Sequence, residues 1–110
     1  KRIDHVVSNL MLLAQIPEKI SAWIVDNDME VFYVRNFFEL KGKKGEIVSV
    51  LPFLSQRTLL KTSGLFYGLN NEKLRIGARG LSNIMLNSTA SIEVEQGSVF
   101  VFHYSRLRGT

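Results

Sequence analysis

The sequence predicts a mainly β protein: a β-sandwich or jelly-roll-like barrel of about eight short antiparallel strands, preceded by one N-terminal amphipathic helix. Three observations predict it. Apolar residues keep a helical spacing only as far as Pro17. Beyond residue 21 they alternate or form short blocks rich in Val, Ile, Phe and Tyr. Gly, Asn and Asp recur between those blocks, at the spacing of hairpin-linked strands rather than of alternating βα units.

In residues 3–16, Ile3, Val6, Val7, Leu10, Leu13 and Ala14 recur at helical intervals, covering roughly a third of the circumference at about 100° per residue. Asp4, His5, Ser8, Asn9 and Gln15 make the other side polar, interrupted by Met11 and Leu12. Pro17 disfavours helical geometry at Ile16 and ends the helix there. Residues 22–25 and 29–34 read as a hairpin about Asp26-Asn27-Asp28. Residues 36–40 form a short strand with residues 42–45 as its turn, and 46–54 are apolar on both faces, as in a strand inside a sandwich. Pro52 removes one donor and marks a bend or an edge.

Residues 56–58 connect to a strand-like run at 59–69, which Gly64 and Gly68 interrupt, the mark of a bulge or of a ligand approaching the backbone. Asn70-Asn71 suits a tight turn into a partner strand at 73–76. Residues 77–83 (GARGLSN) make a glycine-rich polar loop. Residues 91–95 alternate, with Ile92 and Val94 on one side, Gln96-Gly97 turns the chain, and 98–104 form a final strand before a basic tail with Arg106 and Arg108.

The bulk numbers narrow the classes. With 110 residues, 45% hydrophobic and 22% charged, the chain has the composition of one globular core and not of a disordered tail. Lacking Cys, it has neither a disulfide framework nor a thiolate metal site. No apolar run approaches the roughly 20 residues of a membrane helix. A net charge of +4 raises the question of nucleic acid. Lys41, Lys43 and Lys44, set beside Gly42 and Gly45, read instead as a hairpin turn kept soluble by charge, since no aromatic-basic RNA-binding motif accompanies them.

Chemistry concentrates in few places. Arg2 and Asp4, two residues apart before a helix, could pair with phosphate oxygens and hold a metal or a substrate donor, or could be a solvated Arg beside a first-turn acid. His5 and Asn9 share one helix face, as a polar wall or as surface groups. His103 lies in an apolar strand with no Asp, Glu or Cys spaced beside it, the pattern of a satisfied core histidine. Ser82-Asn83 offers donors and acceptors to a neutral heteroaromatic such as an aminopyrimidine, or forms an Asx-type turn. Tyr67 stacks on a ring or packs in the core. There is neither a Ser-His-Asp grouping nor a phosphate-binding G-x-x-x-x-G-K-[ST] loop.

The order of these pieces is more specific than any one of them. Arg2-Ile3-Asp4-His5-(x3)-Asn9 resembles the R-x-D-H-(x3)-N of bacterial thiamine pyrophosphokinases, Gly64-Leu65-Phe66-Tyr67-Gly68-Leu69-Asn70-Asn71 resembles their G-L-x-Y-P-L-N-N, and Gly80-Leu81-Ser82-Asn83 their G-x-S-N. Glu95-Gln96-Gly97 also resembles their Glu-x-Gly turn. The resemblance implies transfer of diphosphate from ATP to thiamine, with Mg²⁺, giving thiamine diphosphate and AMP. It assigns residues 1–20 to the end of an α/β catalytic domain that precedes Lys1, and 21–110 to a thiamine-binding β domain.

Carried over by position, Arg2 and Asp4 belong to the catalytic centre. Ser82, Asn83 and Tyr67, with His5 and Asn9, contact substrate. ATP and Mg²⁺ are held mostly by the upstream domain, so these 110 residues alone are expected to bind neither and to be inactive. A cytoplasmic homodimer is implied, without nucleic acid or membrane as partner. Gly68 departs from the usual Pro and loosens that turn, and Ile84-Met85 stands where the family often has an acidic-aromatic pair. The competing reading is a non-catalytic β-sandwich interaction module docking through residues 99–102; a basic nucleic-acid-binding barrel is a third.

Overall fold

The computed structural model describes residues 2–17, 23–53, 58–68, 72–74 and 82–105. Helix α1 (Ile3–Gln15) ends where Ile16 turns extended before Pro17. Nine strands follow among the described residues: β1 (Trp23–Asp26), β2 (Met29–Val34), β3 (Phe37–Lys41), β4 (Ile47–Pro52), β5 (Thr58–Ser63), β6 (Glu72–Leu74), β7 (Asn83–Ile84), β8 (Thr89–Gln96) and β9 (Val99–Tyr104). They form two antiparallel sheets, in the orders β1-β2-β9-β4-β7 and β3-β8-β5-β6. The sheets face each other without closing, so of the two architectures expected the sandwich is the one present.

Registers explain why the central strands read as apolar on both faces. Phe32 opposes Val101, Val34 opposes Val99, and Val50 opposes Val101. Those side chains meet Leu40, Leu60, Ile92 and Val94 of the second sheet in the main core. The alternate residues Val31 and Phe100 point outward and are covered by Leu13 of α1 in a second apolar cluster. The centre of the first sheet is therefore buried on both sides, while Trp23 and Val25 of its edge strand β1 stay exposed. The second sheet has one wet face, and β8 alternates accordingly, with Ala90, Ile92 and Val94 buried.

Two expected turns have a different role. The hairpin at Asn27 forms, with that residue at φ 52°, a left-handed conformation Asn tolerates. Residues 42–45 were expected to turn a hairpin, but β3 and β4 lie in different sheets, so this segment crosses the sandwich. Gln96-Gly97 does the same between β8 and β9. Turn chemistry specifies a reversal of direction; it does not specify whether the next strand pairs with the last. Thr58, expected in a connection, begins β5 and is fully buried. Asn70-Asn71, Arg79 and the tail residues Arg106 and Arg108 lie outside the described residues.

The helix is tied down at its C-terminal end. Arg35 Nη2 donates to the carbonyls of Ala14 at 3.1 Å and Ile16 at 2.9 Å, and its guanidinium lies 4.7 Å from the centre of the Tyr33 ring. Tyr33 donates in turn to Ser98 Oγ, which donates to Phe53 O. A cation on unpaired terminal carbonyls also opposes the negative end of the helix dipole. Arg35→Ala is therefore expected to lower unfolding free energy by about 1–2 kcal/mol, read from the urea midpoint.

Candidate functional site

The left-handed Gly64 (φ 83°) turns the chain out of β5 and lays the next residues antiparallel to the segment that follows Ser82. Leu65 bridges Met85, Phe66 N–H donates to Ile84 O, and Leu86 N–H to Gly64 O, the last two at 2.9 Å. Asn83 closes the arrangement from below. Its side chain is buried; Oδ1 accepts the N–H groups of Tyr67 and Ile84 at 2.9 Å each, and Nδ2 donates to Tyr67 O at 2.8 Å. The carboxamide thus works mainly as a clip on the Tyr67 backbone, satisfying polar groups that would be costly to bury unpaired.

Above that clip the side chains point to solvent. Phe66 and Tyr67 are 59% and 60% exposed, with ring centres 4.8 Å apart and planes nearly perpendicular. Ser82, also exposed, is left-handed at φ 55° and its N–H donates to Ser49 Oγ at 2.9 Å. Two exposed rings on a backbone fixed from beneath form a platform on which a flat or cationic ring can stack. Glycines bounding an aromatic pair were legible in the sequence; that Phe66 shares the platform and Ser49 supports the loop were not, because both depend on the pairing.

The second cluster is at the start of α1. Arg2 grips Asp4 through two hydrogen bonds, Nη2 to Oδ2 at 2.6 Å and Nε to Oδ1 at 3.2 Å, and Asp4 Oδ1 accepts the His5 N–H at 2.9 Å. Arg2 flanks the helix as its N-cap without a capping side-chain bond, so Asp4 serves the first turn. Both charges are well exposed, and exposed pairs hold each other weakly, so a phosphate can take the guanidinium from Asp4 at small cost. His5 and Asn9, with Val6 and Leu10, line a groove of about 300 Å³ whose floor is Ile24, Val25, Val31 and Phe102.

Asp4 contributes one carboxylate, already engaged, and no group of three His, Asp or Glu suited to a metal ion exists among the described residues.

The structure thus brings Tyr67, Ser82 and Asn83 together, and separately Arg2, Asp4, His5 and Asn9. Within one copy of the chain the two clusters are apart. The helix lies against β1 and β2, whereas Ser82 hangs over Ser49 of β4. β2 and β4 are two strand spacings apart, roughly 10 Å, and the outer strands β1 and β7 four, roughly 19 Å. No helix among the described residues is long and apolar enough to cross a membrane.

Fold and site together define a class: an antiparallel β-sandwich domain with an exposed aromatic pair clipped beside one sheet edge. Residues 37–99 match the family model described as thiamin pyrophosphokinase, vitamin B1 binding domain, and the chain belongs to that family. Its fold is similar to that of the thiamine pyrophosphokinase of Bacillus subtilis (TM-score 0.81, 21% identity, 97% of this chain and 52% of that one). It is also similar to thiamin pyrophosphokinases of Geobacillus thermodenitrificans (0.75, 20%, 100% and 52%) and Candida albicans (0.81, 16%, 96% and 41%). The chain spans about half or less of the length of these proteins. No curated protein sequence matches it.

Proposed function

We propose that this chain is the thiamine-binding, C-terminal part of a thiamine pyrophosphokinase, the enzyme that moves a diphosphoryl group from ATP to the hydroxyl of thiamine and releases AMP. One observation carries the reading: the two segments whose residues resemble the family's motifs, 64–68 and 82–83, are hydrogen-bonded to each other and build one exposed platform. Thiamine joins an aminopyrimidine to a cationic thiazolium, and the Phe66–Tyr67 pair with the Ser82 hydroxyl suits both a stacked ring and a hydrogen-bonding edge. Asn83 acts chiefly by holding Tyr67 in place.

In this reading residues 1–20 end the nucleotide-handling domain, residues 21–110 bind the vitamin, and α1 seated on the sheet is the joint between them. Arg2 neutralises transferring phosphate, Asp4 holds a cationic or donor group of the substrate, and His5 and Asn9 form a polar wall. The remaining ATP contacts and the Mg²⁺ ligands come from the α/β domain. Such chemistry needs positioning and charge neutralisation more than a reactive side chain. The two to four strand spacings between the elements that carry the clusters, roughly 10–19 Å, are bridged by substrate or closed by a second copy in a cytoplasmic homodimer.

Calorimetry of thiamine with the protein that carries this chain tests the assignment. Tyr67→Ala and Asn83→Ala are each expected to weaken binding by roughly 1–3 kcal/mol, about fivefold to a hundredfold in Kd. Arg2→Ala is expected to slow diphosphate transfer while leaving thiamine affinity unchanged. Absence of thiamine binding to the wild type rejects the reading.

A further inference from the structure

His103, on the inward face of β9, has a carboxylate oxygen at each ring nitrogen: Glu30 Oε2 of β2 lies 2.8 Å from Nδ1, and Glu46 Oε1 lies 2.7 Å from Nε2. His103 is 2% exposed and Glu46 3%. The same Glu46 oxygen accepts the N–H of Lys43 at 2.8 Å. None of these groups belongs to either cluster described above. A hydrogen-bonded polar trio inside a sandwich adds little stability over an apolar trio of equal volume, because desolvation offsets the attraction. What it does supply is a fixed position for each member.

That position matters because of what lies behind Glu46. Residues 42–46 cross between the sheets outside any strand, so the Glu46 side chain is what anchors them to β9. The same segment receives the platform's supporting strand: Gly45 N–H donates to Met85 O, and Met85 N–H to Glu46 O, both at 2.9 Å. Met85 bridges Leu65, and Ile84 O accepts Phe66 N–H. A continuous run of short contacts therefore connects His103 to Phe66 and Tyr67. It has no slack at Gly42, where a Cβ would stand 2.6 Å from Glu46 Oε1 and 2.8 Å from both His103 Nε2 and Met85 Sδ.

We infer that the Glu30–His103–Glu46 trio is a positioning device for the ligand platform, setting the height of residues 83–86 and hence of Phe66 and Tyr67. The ligand named in the test, thiamine, rests on the function proposed above; the geometric claim does not.

The test pairs thiamine calorimetry with amide hydrogen exchange at Phe66, Tyr67 and Met85 in the protein that carries this chain, well below the melting temperature. Glu46→Gln retains the acceptor for Lys43 N–H and a hydrogen-bonding partner for Nε2, and is expected to keep Kd within about threefold and amide protection intact. Glu46→Ala and His103→Leu are expected to raise Kd about tenfold or more and to speed exchange at those three amides by about tenfold or more beyond the change at the amides of β8, which follow the global stability of each variant. A merely structural trio would lower protection everywhere alike, and that outcome overturns the inference. So does unchanged protection at Phe66 and Tyr67, or equal loss in Glu46→Gln and Glu46→Ala. If wild type binds no thiamine, the proposed function fails and the exchange pattern alone decides this inference. Should the two disruptive variants not fold, Glu30→Ala, at the partly exposed end of the trio, is expected to show the same local pattern, and its absence there overturns the inference too.

Discussion

Glu46→Ala is expected to lower the unfolding free energy by about 3–5 kcal/mol, the cost of removing one member of a buried hydrogen-bonded set while its partners stay behind. The loss has two physical parts. The buried His103 Nε2 is left without its carboxylate, and the Lys43 N–H is left without its acceptor. Both groups lie in a closely packed region beside Gly42 and Met85. Urea unfolding monitored by far-UV circular dichroism reads the change as a lower midpoint at unchanged slope. The double variant Glu46→Ala/His103→Leu is expected to cost less than the two single changes added together, since the second substitution removes the group the first one stranded. Additive losses would show that the two side chains are not coupled.

Gly64→Ala is expected to cost about 2–4 kcal/mol, from two independent sources. At φ 83° an L-residue is strained, and the added methyl would stand 2.6 Å from the carbonyl oxygen of Thr89, a backbone atom of the neighbouring strand that cannot rotate away. Gly68, at the other end of the same aromatic pair, is the control. No atom lies within 4 Å of where its Cβ would be, so Gly68→Ala is expected to stay within about 0.5 kcal/mol of wild type. Because Gly64 O accepts the Leu86 N–H, the Gly64 variant is also expected to loosen the platform, seen as faster amide exchange at Leu86. Equal stability of the two variants would refute the account of that turn.

Much of this architecture is legible along the chain because its causes are local. Pro17 ends the helix by steric conflict with its own neighbour, Asn27 supplies a left-handed turn, and alternation in β8 records a sheet with one wet face. The same holds for the platform in part: glycines on either side of Phe66 and Tyr67 advertise an unusual backbone. Asn83 illustrates where local reading stops. Its side chain is polar and follows a loop, which suits a ligand contact, yet its hydrogen-bonding groups are engaged largely by the backbone of Tyr67, sixteen residues earlier.

His103 shows the limit most sharply. It reads as a satisfied core histidine, and it is one, but its partners stand 73 and 57 residues away. Periodicity and turn chemistry determined that this chain makes a helix and a set of antiparallel strands with a Gly-bounded aromatic pair, because those preferences act over a few neighbouring residues. Only the tertiary structure decided that β2, β9 and β4 lie side by side, that residues 42–45 cross between sheets, and that two glutamates converge on one imidazole. Strand order is settled by burying both faces of one sheet at once, and that is a property of the whole packed chain rather than of any segment within it.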